Sequence, residues 1–250
     1  MKIWALPRLP EVAPGDDLPG MLAHRAAAGG VTAGDVVCVA HKVVSKAEGR
    51  VIALADVTPG PAALALADET GKTPALCELI LAESRRIVRR RGGTLICETH
   101  HGFVCANAGI DQSNVADGRV VLLPVDPDAS ARRLQARIAA TVGGRVGVVV
   151  TDTHGRAFRR GLVNVAVGVA GFVPVVDHRG GRDREGRMLI ATEQALADEL
   201  AAACGILMGK GAGIAAVACS GIPTAPAPGT VVELVRDPAH DLFRPSPEDG

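Results

Sequence analysis

The sequence predicts an α+β protein, a mixed α/β fold of irregular order. Three observations point there. Apolar residues make up 48% of the 250-residue chain and aromatics only 2%, with no Tyr and one Trp. A real core therefore exists, and Ala, Val, Leu and Ile must build it. Short β-branched runs, such as residues 35–40 and 145–150, read as buried strands. Helical patterns fall between such runs without strict alternation, which argues for α+β or irregular α/β.

The elements follow in order. Residues 14–17, PGDD, form a turn, and Asp16 or Asp17 can cap a helix over 18–28 that Gly29-Gly30 ends. Residues 35–40, DVVCVA, are a buried strand. Lys42, Lys46 and Arg50 come next, and Val43-Val44-Ser45 favours an extended course at first. Two helices are expected over 62–69 and 74–91, with five arginines closing the second, where cations suit the helix dipole. Residues 94–97 read as a strand. Residues 100–115, HHGFVCANAGIDQSNV, show no helical or strand period, so a long loop of small and amide residues is expected. Residues 119–124 read as a strand and residues 126–141 as a capped helix. Residues 145–150 are another buried strand. Residues 161–176 suit closely packed strands with a bend. Residues 179–187 are a charged loop, 192–207 an Ala-rich helix and 215–219 a last strand. The tail from residue 223 is Pro-rich, with a short strand over 231–235.

Several function classes are disfavoured. Lys plus Arg equals Asp plus Glu, 27 each, so no global field draws nucleic acid or anionic membrane. Few aromatics argue against stacking on single-stranded nucleic acid. No apolar run approaches the ~20 residues of a membrane span. The first twelve residues carry too short an apolar stretch for a signal peptide. The six cysteines lack any C-x-x-C pair, and several sit in apolar runs as buried free thiols do. A reduced, cytoplasmic protein without a disulfide framework or structural zinc is expected.

Motifs narrow the chemistry. Gly71-Lys72-Thr73 resembles the end of a P-loop, but position 66 is Leu and no strand precedes it. Gly209, Gly211 and Gly213 follow a helix rather than opening one, so they are not a dinucleotide fingerprint. They suit either a loop closing over a ligand or a plain helix C-terminus. Asp111 and Asn114, three apart, can face one ligand or simply bond their own turn. Asp152-Thr153 is more pointed. An acid at the end of a buried strand is where α/β proteins place ligands, and Asp with Thr offers oxygen to one hard cation. Arg156, Arg159 and Arg160 follow, which fits metal plus phosphate. His100-His101 point opposite ways on an extended chain, which favours polar loop roles.

These stretches carry a resemblance. LPEVAPGDDL, KVVSKAEGR, HGFVCANAGIDQSNV, LLPVDPDASAR, VTDTHGR, NVAVGVAG and ADELAAACGILMGK, in this order over about residues 5–222, resemble the coenzyme F420:L-glutamate ligase (F420-0:gamma-glutamyl ligase) family. The resemblance implies that family's mixed fold in residues 1–222, an intertwined homodimer, and residues 223–250 as a tail. It implies a ligase that uses GTP and a divalent metal to join L-glutamate to F420-0, then further glutamate by γ-linkage. GTP would be co-substrate, with Mg2+ or Mn2+, and K+ as a further cation. Leu9, Pro10, Glu11, Val12, Lys46 and Asn114 would touch the nucleotide. Met208, Gly209, Lys210 and Gly211 would begin a loop, to residue 215, that closes on it. Asp111, Asp152 and Thr153 would hold metal; Lys46, Asp111 and Asp152 would carry catalysis. His41 stands where relatives often place a Ser on GTP, and Lys210 where some place a Gln near a second metal. Two rival readings are the same amide chemistry on another acceptor, and a non-catalytic guanine-nucleotide-binding module.

Overall fold

The computed structural model describes residues 1–241 and 243. In chain order, strand β1 is Lys2–Ala5, helix α1 Leu18–Ala28, β2 Val36–Ala40, α2 His41–Ala47, β3 Val51–Ala53, α3 Pro61–Thr70 and α4 Pro74–Ala82. Then come β4 Ser84–Arg91, β5 Thr94–Thr99, β6 Val104–Ala106, β7 Arg119–Val121, α5 Pro127–Val142, β8 Gly147–Arg156 and β9 Arg159–Ala170. Next are β10 Val176–Asp177, β11 Glu193–Gln194, α6 Leu196–Met208 and β12 Ala216–Ser220, followed by two 3-10 turns, Val231–Leu234 and Pro238–His240. Helices and strands are mixed as expected.

The main sheet has the order β1-β12-β2-β8-β9. Its pairings are antiparallel except β2 with β8, which run parallel. Val36, Val37, Val39, Val148, Val149 and Val150 are fully buried there. β-branched residues on a pleat covered on both faces explain why these runs are continuous rather than alternating. Along β8 and β9, Val150 pairs with Gly168 but Thr151 with Ala166. Val167 is thus one residue too many. Such a bulge changes which face the following side chains take, and it sits beside the site described below. A second core gathers Ala63, Leu66, Cys77, Ile80, Leu95, Cys97, Val120 and Leu122 from α3, α4, β5, β7 and the residue after β7. All six cysteines are buried free thiols.

Several elements differ from expectation. The helix over 74–91 stops at Ala82, and its arginines lie on β4. Gly92-Gly93 turns β4 into β5, with Arg91 paired to Thr94. A Gly-Gly turn between two extended runs is a hairpin signal that overrode the helical spacing. Residues 41–47 are helical from the first, because Val44 drops into the core and Ser45 stacks one turn after His41. The loop over 100–115 contains β6 and a short 3-10 turn, Asn107–Gly109. Residues 161–176 are mainly one long strand, β9. The short strand expected over 231–235 is a 3-10 helix, Val231–Leu234. Residues 242 and 244–250 of the expected tail lie outside the described residues.

One buried carboxylate ties that segment down. Asp128, at the start of α5, accepts from the amide of Val169 at 2.8 Å, the amide of Val231 at 3.0 Å and the hydroxyl of Thr230 at 2.6 Å. Asp128→Ala would leave buried donors unpaired. We expect a loss of about 3 kcal/mol, read as a melting midpoint ~6–12 °C lower. An unchanged midpoint would mean that water replaces the carboxylate without cost.

Candidate active site

The parallel pair fixes the centre. Ala40 pairs with Thr151, so both β2 and β8 deliver their next residues, His41 and Asp152, to the same end of the sheet. Ligands in α/β sheets bind at this C-terminal end. A cleft of about 430 Å3 opens there. Four stretches line it: residues 9–12, residues from 40 to 46, residues 151–153 and residues from 208 to 215, together with Asn114 and Asn164.

Asp152 is buried and bound on both oxygens. Its Oδ1 accepts the amide of Thr153 at 2.6 Å and lies 3.2 Å from His41 Nε2. Its Oδ2 lies 3.1 Å from His154 Nε2. Burial alone would raise its pKa, but the His41 charge and the bonds from both histidines outweigh that and hold it far below the usual carboxylate range. His41 is 2% exposed, and its buried Nε2 faces Asp152 as an ion pair when the ring is protonated. Behind the site, the Cys105 thiol of β6 is pushed up to about 12, by burial first and then by the charge of Asp152.

Two lysines on α2 face the cleft one turn apart. Lys42 Nζ lies 2.7 Å from Asp111 Oδ2 and donates to Ser113. Lys46 pairs with Glu11. Asp111 also accepts the Ser113 amide at 2.6 Å. Burial would raise its pKa, yet Lys42 and the Ser113 bonds lower it. Lys210 Nζ donates to Thr153 Oγ1 at 2.8 Å, and Thr153 donates to Asn164 Oδ1 at 3.1 Å.

The loop wall depends on small residues. Gly209 ends α6 at φ 55°, a backbone region that favours glycine, and turns the chain along the cleft. A Cβ on Gly205 would stand 2.7 Å from Asn164, so glycine lets that amide reach the site. Arg8 holds the loop at the Ala212 carbonyl, 2.8 Å away.

Of the expected site residues, Leu9, Pro10, Glu11, Val12, His41, Lys46, Asn114, Asp152, Thr153, Met208, Gly209, Lys210 and Gly211 all line this one cleft. Asp111 does not line it and reaches it through Lys42. Among the described residues no three His, Cys, Asp or Glu side chains converge as a metal cage. Arg156, Arg159 and Arg160 lie toward the exposed tip of the β8–β9 hairpin and do not line it. His100 and His101 bond carbonyls instead, at Ala82 (2.9 Å) and Pro124 (3.0 Å). Sequence reasoning missed Thr151, Asn164 and His154. The two-residue period of a strand could have placed His154 on the face of Asp152. Nothing local could place Asn164, because its pairing opposite Thr153 depends on the bulge.

Comparison with known proteins gives the family. The family model described as F420-0:Gamma-glutamyl ligase matches residues 7–221. The chain is 45% identical to the coenzyme F420:L-glutamate ligase of Methanothermobacter thermautotrophicus, over 94% of this chain and 96% of that one. It is 44% identical to that of Methanopyrus kandleri, over 98% of both. With that of Archaeoglobus fulgidus it shares 39% identity over 98% of this chain and 96% of the other.

Proposed function

The chain belongs to the F420-0:gamma-glutamyl ligase family, and from that premise we propose that it spends GTP to join L-glutamate to F420-0 through an amide bond. The observation that carries the reading is the convergence of four chain segments, with three lysines among them, on one cleft around an ionised, buried Asp152. Amide formation from a free carboxylate needs activation. The γ-phosphoryl group of GTP passes to the F420-0 carboxylate, giving an acyl phosphate and GDP. The amine of glutamate attacks the acyl carbon and phosphate leaves. Further γ-linked additions repeat the cycle.

The residues have separate tasks. Leu9, Pro10, Val12, Asn114 and the loop from Met208 hold the base and sugar. Lys46 sits against the phosphates and neutralises charge that develops on transfer. His41 and His154 fix the orientation of Asp152. The donor set fits a hard divalent ion: Asp152 and Thr153 offer oxygens in the cleft, and Asp111, outside its lining, would add a third on leaving Lys42. Two protein oxygens suffice for Mg2+ or Mn2+ when phosphate oxygens supply the rest. Bound there, such an ion would neutralise the phosphate oxygens during transfer. Lys210 donates to Thr153 Oγ1, so a further cation such as K+ would compete with its ammonium at that oxygen.

An assay with GTP, L-glutamate and F420-0, resolved by mass, tests the reading. F420-0 bearing added glutamate is expected. Product with another acceptor but not F420-0 would assign the same chemistry to that acceptor. Nucleotide binding without product would leave a binding module.

A homodimer is part of this proposal. The apolar run over 161–176 is mostly covered by the chain itself, since Val167, Val169 and Ala170 are buried. Exposed apolar surface instead lies at the β8–β9 hairpin, where Phe158 is 91% and Leu162 63% exposed. Sedimentation at micromolar concentration is expected to give a dimer, and a Phe158→Asp, Leu162→Asp double variant to give a monomer. A monomeric parent chain would remove the homodimer.

A further inference from the structure

The cleft at the end of β2 and β8, at about 430 Å3, lies toward the small end for a ligand pocket. Its lining residues are those the ligase reading gives to the nucleotide and metal, which leaves the amine donor unplaced. His154 marks another side of the reacting region. Its Nε2 bonds Asp152 Oδ2 at 3.1 Å, and the residue also lines a second cleft of about 240 Å3. Phe103, Val165 and Leu234 give that second cleft an apolar wall.

Its charged lining is Asp198, Asp241 and Arg236, two carboxylates and one guanidinium. Asp198 lies in the first turn of α6, and its Oδ1 accepts the amide of Ala166 at 2.8 Å. No other hydrogen bond or ion pair engages this carboxylate among the described residues. Burial raises its pKa, a cost that a cationic ligand would offset. Arg236 is exposed and has no ion pair among the described residues. A guanidinium is suited to bidentate capture of a carboxylate.

We propose that this second cleft binds the amine-donating α-amino acid, with its ammonium on Asp198 and a carboxylate on Arg236. An α-amino acid carries both charges on a short stem, and the cleft offers both counter-charges beside an apolar wall. The inference rests on the ligase reading, because only a ligation needs an amine donor. It gives α6 a part in two places: its first turn holds the amino acid, and its last leads into the loop along the nucleotide cleft.

Initial rates of the full chain, at saturating GTP, Mg2+ and F420-0 with L-glutamate varied, test this. Arg236→Ala is expected to raise the KM for glutamate about tenfold or more, while kcat and the KM for GTP stay near the parent values. Arg236→Lys should recover part of the loss. Asp198→Asn keeps an acceptor for the Ala166 amide, so it should stay folded and raise the same KM. A glutamate KM within about twofold of the parent in both Arg236→Ala and Asp198→Asn overturns the inference and leaves the ligase reading intact. Equilibrium dialysis of radiolabelled L-glutamate separates the two claims from the other side. Saturable binding that Arg236→Ala removes, in a chain that performs no ligation, supports the cleft and overturns the ligase reading.

Discussion

Asp152→Asn is expected to reduce ligation about a thousandfold while the protein stays folded. Asp152 is buried, and its low pKa keeps it charged across the neutral range. Asn has nearly the same volume and keeps one oxygen for the Thr153 amide, now 2.6 Å away. What it loses is the negative charge, and with it the hold on a cation and on the two histidines. Removing a metal ligand costs several kcal/mol of transition-state stabilisation, and ~4 kcal/mol is close to a thousandfold in rate. Asp111→Asn should act in the same direction. Its charge partner is Lys42 at 2.7 Å, so that variant also frees a lysine into the cleft. Initial rates at ordinary Mg2+, with circular dichroism to confirm folding, measure both. Near-normal turnover in both variants would remove metal from these two acids.

Lys46→Ala should weaken GTP binding ten- to hundredfold, and Lys42→Ala clearly less. The two ammonium groups share a face of α2, but their partners differ. Lys42 is held by Asp111 and Ser113, both carried by the loop before β7. Among the described residues Lys46 pairs only with Glu11, whose side chain is 83% exposed. The phosphate therefore competes with less at Lys46. A lost charge-assisted contact is worth ~1.5–3 kcal/mol, which sets the expected range. Calorimetric titration of GTP into both variants decides between them. Equal, small losses would mean that α2 is only a solvated basic face, and phosphate would have to be sought at Arg156, Arg159 or Arg160.

The sequence made the centre of the sheet readable and its surroundings less so. The β2 and β8 runs are buried on both faces, so their composition announces strands without reference to partners. Asp152 follows directly from β8, since a carboxylate after a buried Val run has few structural uses. Asp17 and Asp126 cap the helices expected after them, accepting amides at 3.1 and 2.8 Å, because capping is local chemistry. The arginines of residues 85–91 misled because Leu76, Leu79 and Ile80 set a helical rhythm that Ser84 breaks without any Pro or Gly to show it. Only pairing with β5, a contact outside the segment, makes them a strand. Asn164 and His154 were hidden for a related reason. One needs the β8–β9 register with its bulge, the other needs knowledge that β8 continues past Val150. The charged wall of the second cleft joins α6 to a segment near the end of the chain, and no local pattern links Asp198 to Arg236.

The release of GDP, measured with and without F420-0 in the presence of L-glutamate and Mg2+, tests the account most directly. The expected result is GDP release that requires F420-0 and matches, mole for mole, the glutamyl residues added, and that Asp152→Asn abolishes. GDP release at the same rate without F420-0, or unchanged in Asp152→Asn, would contradict it.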